Sequence, residues 1–291
     1  MTTATTAPEH HTWLYLKLYP GHADLLDATL TDVVAPVVDR LAPRAERWFF
    51  LRYLDLAGPH IRLRLRLPHA DADAFVLQRS SLIEQLSAVV ARPGLAPPPG
   101  LPVIPVNAVR SRPEIRFDLY EPEYTKWGGP QYLAVAEHVF QETSATALRL
   151  IAGSDGGFVH RLALGRLVLT LLLDRLDLTA TERDGFLRTH YAWWSGLKHA
   201  TPTDGANRDT SLRAAFAQVR SDVLVRSAQL TDAALTSDLI DLLCTEMVAG
   251  IEKRIHQQPL YLAFHYLHLS LNRLGITPVE EALVSLLAAA S

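Results

Sequence analysis

The sequence is short of the features that mark several common protein classes. One cysteine, Cys244, occurs in 291 residues, which excludes an internal disulfide and leaves no clustered thiols for zinc. No run of about twenty apolar residues is present. The N-terminal MTTATTAPEHHT has no positive segment followed by an apolar core, so no secretory signal is read. Charge of neither sign dominates: the formal net charge is −3, which argues against a nucleic-acid coat or a polybasic membrane anchor. There is no Gly-rich phosphate loop, HExxH helix or GxSxG elbow. These absences predict a soluble, cytoplasmic protein that touches neither membrane nor nucleic acid directly. His10 and His11 sit in a Thr/Ala/Pro-rich tail and are not read as metal ligands.

What is present is apolar residue in quantity, 48% of the chain, enough for one large domain or two modest ones. WLYLKLY (13–19), RWFFLRY (47–53), HIRLRLRL (60–67) and EIRFDLY (114–120) read as strands. Helical spacing covers 22–41 and 70–91, Gly58 and Pro59 read as the turn between the middle strands, and 93–102 is a stiff proline-rich connection. The order β-α-β-β-α-β predicts a ferredoxin-like antiparallel sheet with helices on one face and the other face free to bind. From Gln131 the pattern is almost wholly helical. The expected architecture is therefore α+β: a tail over 1–11, a sheet portion over 12–130 and a largely all-α portion over 131–291, packed together as one domain.

Three stretches carry polar groups that a core avoids. In HIRLRLRL, strict alternation puts His60, Arg62, Arg64 and Arg66 on one side of a strand, roughly 6.6 Å apart, where they repel unless something negative lies above them. A solvated sheet face needs no ligand and is the competing reading. In YEPEYTKWGGP (120–130), a charged loop, Glu123 and Lys126 precede Gly128 and Gly129, which permit a tight turn; a plain surface turn is the alternative. In YLAFHYLHLSLNRLGI, steps of four, three and four put Tyr261, His265, His268 and Asn272 on one helical stripe. His265 also reads as a satisfied core histidine, and Asn272 with Gly275 as a helix end. His268, flanked by leucines, must find a partner if buried.

In this order and spacing, FFLRYLDLAGPHIRLRLRL, EPEYTKWGGP and HLSLNRLG resemble the C-terminal elimination domain of lantibiotic dehydratases, the thiopeptide-type bacteriocin biosynthesis family. The resemblance runs from WLYLKLY to the last helix. It implies expulsion of glutamate from glutamylated Ser or Thr of a ribosomal precursor peptide, leaving dehydroalanine or dehydrobutyrine. It also implies a split form, working beside a separate glutamyl-tRNA-dependent glutamylating protein, on a substrate with leader and core. Carried over by residue, the catalytic set is Arg62, Arg64, Glu123, Lys126 and His268, with Arg52, His60, Arg66, Tyr261, His265 and Asn272 assigned to substrate binding. Arg62, Arg64, Lys126 and His268 are expected around one cavity, and no metal, nucleotide or flavin is required. One departure stands out: the family's E-x-x-R-[YF]-G-G loop has Lys126 here, which keeps the charge and loses the bidentate fork. The fold also hosts stand-alone pyridine synthases, which join two dehydroalanines by a formal [4+2] cycloaddition. The intact arginine row points to elimination, and Lys126 weakens that preference. A silent peptide-binding partner is the third expectation.

Overall fold

The computed structural model describes residues 10–91, 112–154, 156–197, 200–253 and 258–290. Residues 1–9 of the tail expected over 1–11, and the proline-rich connection, lie outside the described residues, while His11 already belongs to the first strand. The chain divides into two compact units, with the boundary between Lys126 and Trp127.

The first unit is built on four strands: β1 (His11–Tyr19), β2 (Arg47–Asp55), β3 (Gly58–Pro68) and β4 (Glu114–Asp118). All pairings are antiparallel, and the spatial order is β2-β3-β1-β4. This is the ferredoxin-like order that the element sequence predicts. Between β1 and β2 lie a 3-10 turn (Ala23–Leu25), α1 (Leu26–Thr29), a π turn (Leu30–Val34) and α2 (Ala35–Leu41). Pro36 enters at the start of α2; it has no N–H to give an i→i−4 bond, and the wide turn just before it absorbs that loss. Between β3 and β4 lie α3 (His69–Val76) and α4 (Arg79–Val90).

Alternation in β3 sorts the sheet as expected on one side. Ile61, Leu63, Leu65 and Leu67 are buried together with Leu16, Leu18 and Phe50, and fully burying each such side chain stabilises the fold by roughly 1.5–3 kcal/mol. The β2–β3 turn is a correction: Leu56 and Ala57 form it, and Gly58 and Pro59 already belong to β3. The Asp55 carboxylate accepts the Ala57 N–H at 2.9 Å and closes the two-residue loop. Gly58 has φ +118, a conformation that L side chains rarely adopt. Pro59 is tolerated because it lies beyond the end of the β1 ladder, which stops at Ile61.

A short helix, α5 (Tyr124–Trp127), replaces the loop expected after β4. The second unit is helical: α6 (Pro130–Ala152), α7 (Phe158–Arg175), α8 (Ala180–Trp194), α9 (Pro202–Asp232), α10 (Ala234–Glu252), α11 (Pro259–Arg273) and α12 (Pro278–Ala289). Thr179 closes a capping box with Glu182 at the start of α8, and Thr277 does the same with Glu280 at the start of α12. α12 is apolar on nearly every side, and α7, α8 and α9 pack around it. Gly165 of α7 permits the close approach: a Cβ there would sit 2.6 Å from Ile276 and 2.9 Å from Val284.

Candidate functional site

In the first unit, the face opposite the leucines carries the arginine row. It is not the open surface that was expected: Tyr15, Tyr19, Phe49 and His60 on it are buried, and Arg64 is only 8% exposed. Burial draws His60 below the usual imidazole range, so it is a neutral ring rather than a fourth cation. Its Nδ1 lies 3.1 Å from the Gly58 carbonyl, which can only accept; the proton is therefore on Nδ1, and Nε2 accepts from Arg62 Nε at 3.4 Å. His60 thus orients Arg62. Asp55, at the hairpin, accepts a 2.9 Å bond from Tyr19, whose own pKa burial and that bond push up.

The two central guanidiniums are held by aromatic rings. Arg62 Cζ lies 3.2 Å from the Tyr53 centroid; Arg64 Cζ lies 4.4 Å from Tyr15, 5.2 Å from Tyr120 and 5.4 Å from Phe49. The register explains the cage, since Tyr15 on β1 and Phe49 on β2 are the cross-strand partners of Arg64. Burial pulls Arg64 below its ordinary range, with Tyr15 and Tyr120 opposing and Arg62 adding to the shift. Among the described residues neither Arg62 nor Arg64 has a carboxylate within ion-pair distance. The Arg64 Nε is buried without a hydrogen-bond partner. The nearby carboxylate on this face, Asp118, is taken by Lys17 at 2.5 Å.

The other arginines singled out in the sequence have carboxylate partners. Arg66, on the same face, is 41% exposed at the side chain and meets Glu46 at 3.1 Å. Arg52 lies on the leucine side, in register with Ile61, and pairs with Asp27 at 2.6 Å. In this register the even residues of β2 face away from the even row of β3, which is why sequence proximity to the motif misleads. Glu123 and Lys126 do come together, at 3.3 Å across one turn of α5, as an exposed pair of small energetic weight.

In the second unit, Tyr261, His265, His268 and Asn272 share the partly exposed stripe of α11, as their spacing requires. Tyr261 and His265 meet edge to face at 4.4 Å. His268 does more: its Nδ1 lies 2.6 Å from Glu281 Oε1, and its ring stacks on Trp194 at 4.2 Å. Its side chain is 25% exposed, whereas Glu281 is fully buried. Burial pushes the Glu281 carboxyl up to about 7. His190 stands on the far side, with Nε2 3.4 Å from Glu281 Oε2. Sequence reasoning missed Glu281, His190 and Trp194. The available signal was in VEEALVSLL: once Glu280 is spent on the cap, a second glutamate in an apolar helix needs a partner.

Over residues 13–291 the sequence matches the family model described as lantibiotic biosynthesis dehydratase C-term. The chain belongs to that family. The lantibiotic dehydratase C-terminal fold is also what solved structures share with it. The tRNA-dependent lantibiotic dehydratase MibB from Microbispora sp. 107891 is 24% identical with a TM-score of 0.56, over 99% of this chain and 28% of MibB. TbtD, a pyridine synthase from thiomuracin biosynthesis, is 18% identical with a TM-score of 0.63, over 96% of each chain. TsrL is 18% identical with a TM-score of 0.61, over 97% of this chain and 94% of TsrL. At these identities the likeness is one of fold. A search of curated protein sequences finds no match. Among the described residues no helix is long and apolar enough to cross a membrane, and no three His, Cys, Asp or Glu are grouped to hold a metal ion.

Proposed function

We propose that this protein eliminates glutamate from glutamylated Ser or Thr residues of a ribosomally made precursor peptide, leaving dehydroalanine or dehydrobutyrine. The observation that carries this reading is the pair Arg62 and Arg64: two guanidiniums side by side on a largely buried face, with aromatic rings but, among the described residues, no carboxylate as partners. A cation kept dry and unanswered is costly, and an anionic substrate group completes it. A glutamyl ester brings a carboxylate, and its elimination develops further negative charge.

In this reading the reaction is a β-elimination. A base takes the α-proton of the esterified residue, the released electron pair forms the Cα–Cβ double bond, and the Cβ–O bond breaks to release glutamate. Arg62 and Arg64 hold the glutamyl charge and the developing enolate, with each good donor contributing about 2.7–4 kcal/mol in the transition state. His268, partnered by Glu281, is the proton carrier. Lys126 and Glu123 contribute to the charge balance of the substrate. The partner in the cell is a glutamyl-tRNA-dependent protein that supplies the ester.

A second reading is pyridine synthesis by formal cycloaddition of two dehydroalanines, favoured by the near full-length overlap with TbtD. The test is incubation of a glutamylated precursor peptide with the pure protein. The expected result is free glutamate and dehydroamino acids without ATP or tRNA, with His268→Ala slowing release about 10²- to 10⁴-fold. Inertness toward that peptide, together with conversion of a dehydrated peptide into a pyridine-containing ring, sinks elimination and installs the synthase.

A further inference from the structure

The polar cluster around Glu281 holds more protons in defined places than its description as a histidine–carboxylate pair implies. An indole N–H can only donate, so the 3.1 Å contact from Trp194 Nε1 makes His190 Nε2 an acceptor. His190 is then a neutral ring with its proton on Nδ1, and it donates to Ser285 Oγ at 2.8 Å. Ser285 in turn donates to the Glu281 backbone carbonyl at 3.1 Å. Every proton on this side is committed. Among the described residues nothing remains to donate to Glu281 Oε2, which is buried without a hydrogen-bond partner. Behind it, Glu280 faces Arg161 of α7 at 3.4 Å, so that cation is occupied too.

The carboxyl can therefore be answered only through Oε1, by His268 Nδ1 at 2.6 Å. When the pair holds no extra proton, an ionised Glu281 requires the N–H of His268 at Nδ1. We propose that Glu281 is a positioning residue that fixes neutral His268 as its Nδ1–H tautomer and so makes Nε2 the proton-accepting atom. A neutral His190, locked by Trp194 and Ser285, denies the carboxyl any second donor. Uptake of a proton at Nε2 then gives an imidazolium facing a carboxylate across 2.6 Å, which stabilises the loaded state. The catalytic part of this inference rests on His268 as the proton carrier; the tautomer does not.

The experiment is ring-¹⁵N NMR of the full chain at pH 9, with His268 and His190 assigned from His268→Gln and His190→Gln spectra. In the wild type His268 should show a protonated Nδ1 and a bare Nε2, and His190 should be neutral and protonated at Nδ1. Glu281→Gln keeps an acceptor oxygen and should keep the His268 tautomer. Glu281→Met removes it, without a buried charge to unfold the helix, and His268 should move toward Nε2–H. Elimination by Glu281→Met should fall about 10- to 100-fold in kcat with KM little changed. In Glu281→Gln the acid limb of the pH profile should move to lower pH. A wild-type His268 protonated at Nε2, or one whose tautomer ignores Glu281→Met, overturns the inference. If the tautomer is as stated but His268→Ala eliminates glutamate at the wild-type rate, the proton-carrier reading fails and the positioning role of Glu281 stands.

Discussion

The two units solve opposite electrostatic problems by different means. On the sheet, Arg62 and Arg64 are surrounded by Tyr53, Tyr15, Phe49 and Tyr120, whose rings steady a cation without neutralising it. In the helical unit, Glu281 is met by His268, and its neighbours His190, Ser285 and Trp194 form a closed chain of donors and acceptors. A π-face leaves the guanidinium edges able to take an anion, whereas an ion pair would use them up. In the helical cluster one imidazole answers the buried carboxyl through a single oxygen, which suits holding and passing a proton. The lesson is that a charge held by aromatic rings and a charge held by a titratable partner mark different chemical duties even within one small protein.

The sharpest way to break this contrast is Arg64→Met. A buried cation without a carboxylate partner contributes little net stability, so the thermal midpoint should hold or rise while glutamate release falls about 10²- to 10³-fold. A collapse of the fold on this substitution would mean that Arg64 is structural. Next comes Glu281, examined through pH. Buried and paired with His268, its carboxyl is pushed up to about 7 from an ordinary 4.5, so the folded pair holds a proton that the unfolded carboxyl releases. The stabilisation is complete below about 4.5 and is lost as pH rises through about 7, by an amount on the order of 3 kcal/mol. Denaturant midpoints at pH 5 and pH 8 should differ more for the wild type than for Glu281→Gln; equal differences contradict the buried-carboxyl account.

A smaller effect is expected at Gly165→Ala, where the added methyl meets Ile276 and Val284. Overpacking of this kind costs about 1–3 kcal/mol, measurable as a lowered urea midpoint, and it should loosen α7 from the helix that carries Glu281. The smallest is Arg66→Ala. Its exposed pairing with Glu46 is worth less than about 1 kcal/mol, and glutamate release should stay within about twofold of the wild type. A loss there as large as at Arg64 would erase the distinction between the caged arginines and the rest of the row.

Period-two alternation in β1 and β3 and period-3.6 spacing from Gln131 onward determined the element order, and with it the ferredoxin-like sheet and the helical second half. The same local periodicities put Arg62 with Arg64 on one face and His268 on the outer stripe of α11, because side-chain direction along one element is fixed by backbone geometry alone. What they could not decide was who answers each charge. That His60 is neutral, that Arg66 pairs away with Glu46, that Arg52 faces Asp27 and that Glu281 meets His268 are matters of register between strands and packing between helices. Burial and partnership are set by residues distant in the chain, and a pattern read along one element carries no term for them. The sequence by itself determined which face each polar group lies on; only the tertiary structure decided which charges are paired, because pairing depends on distances between elements that local geometry leaves open.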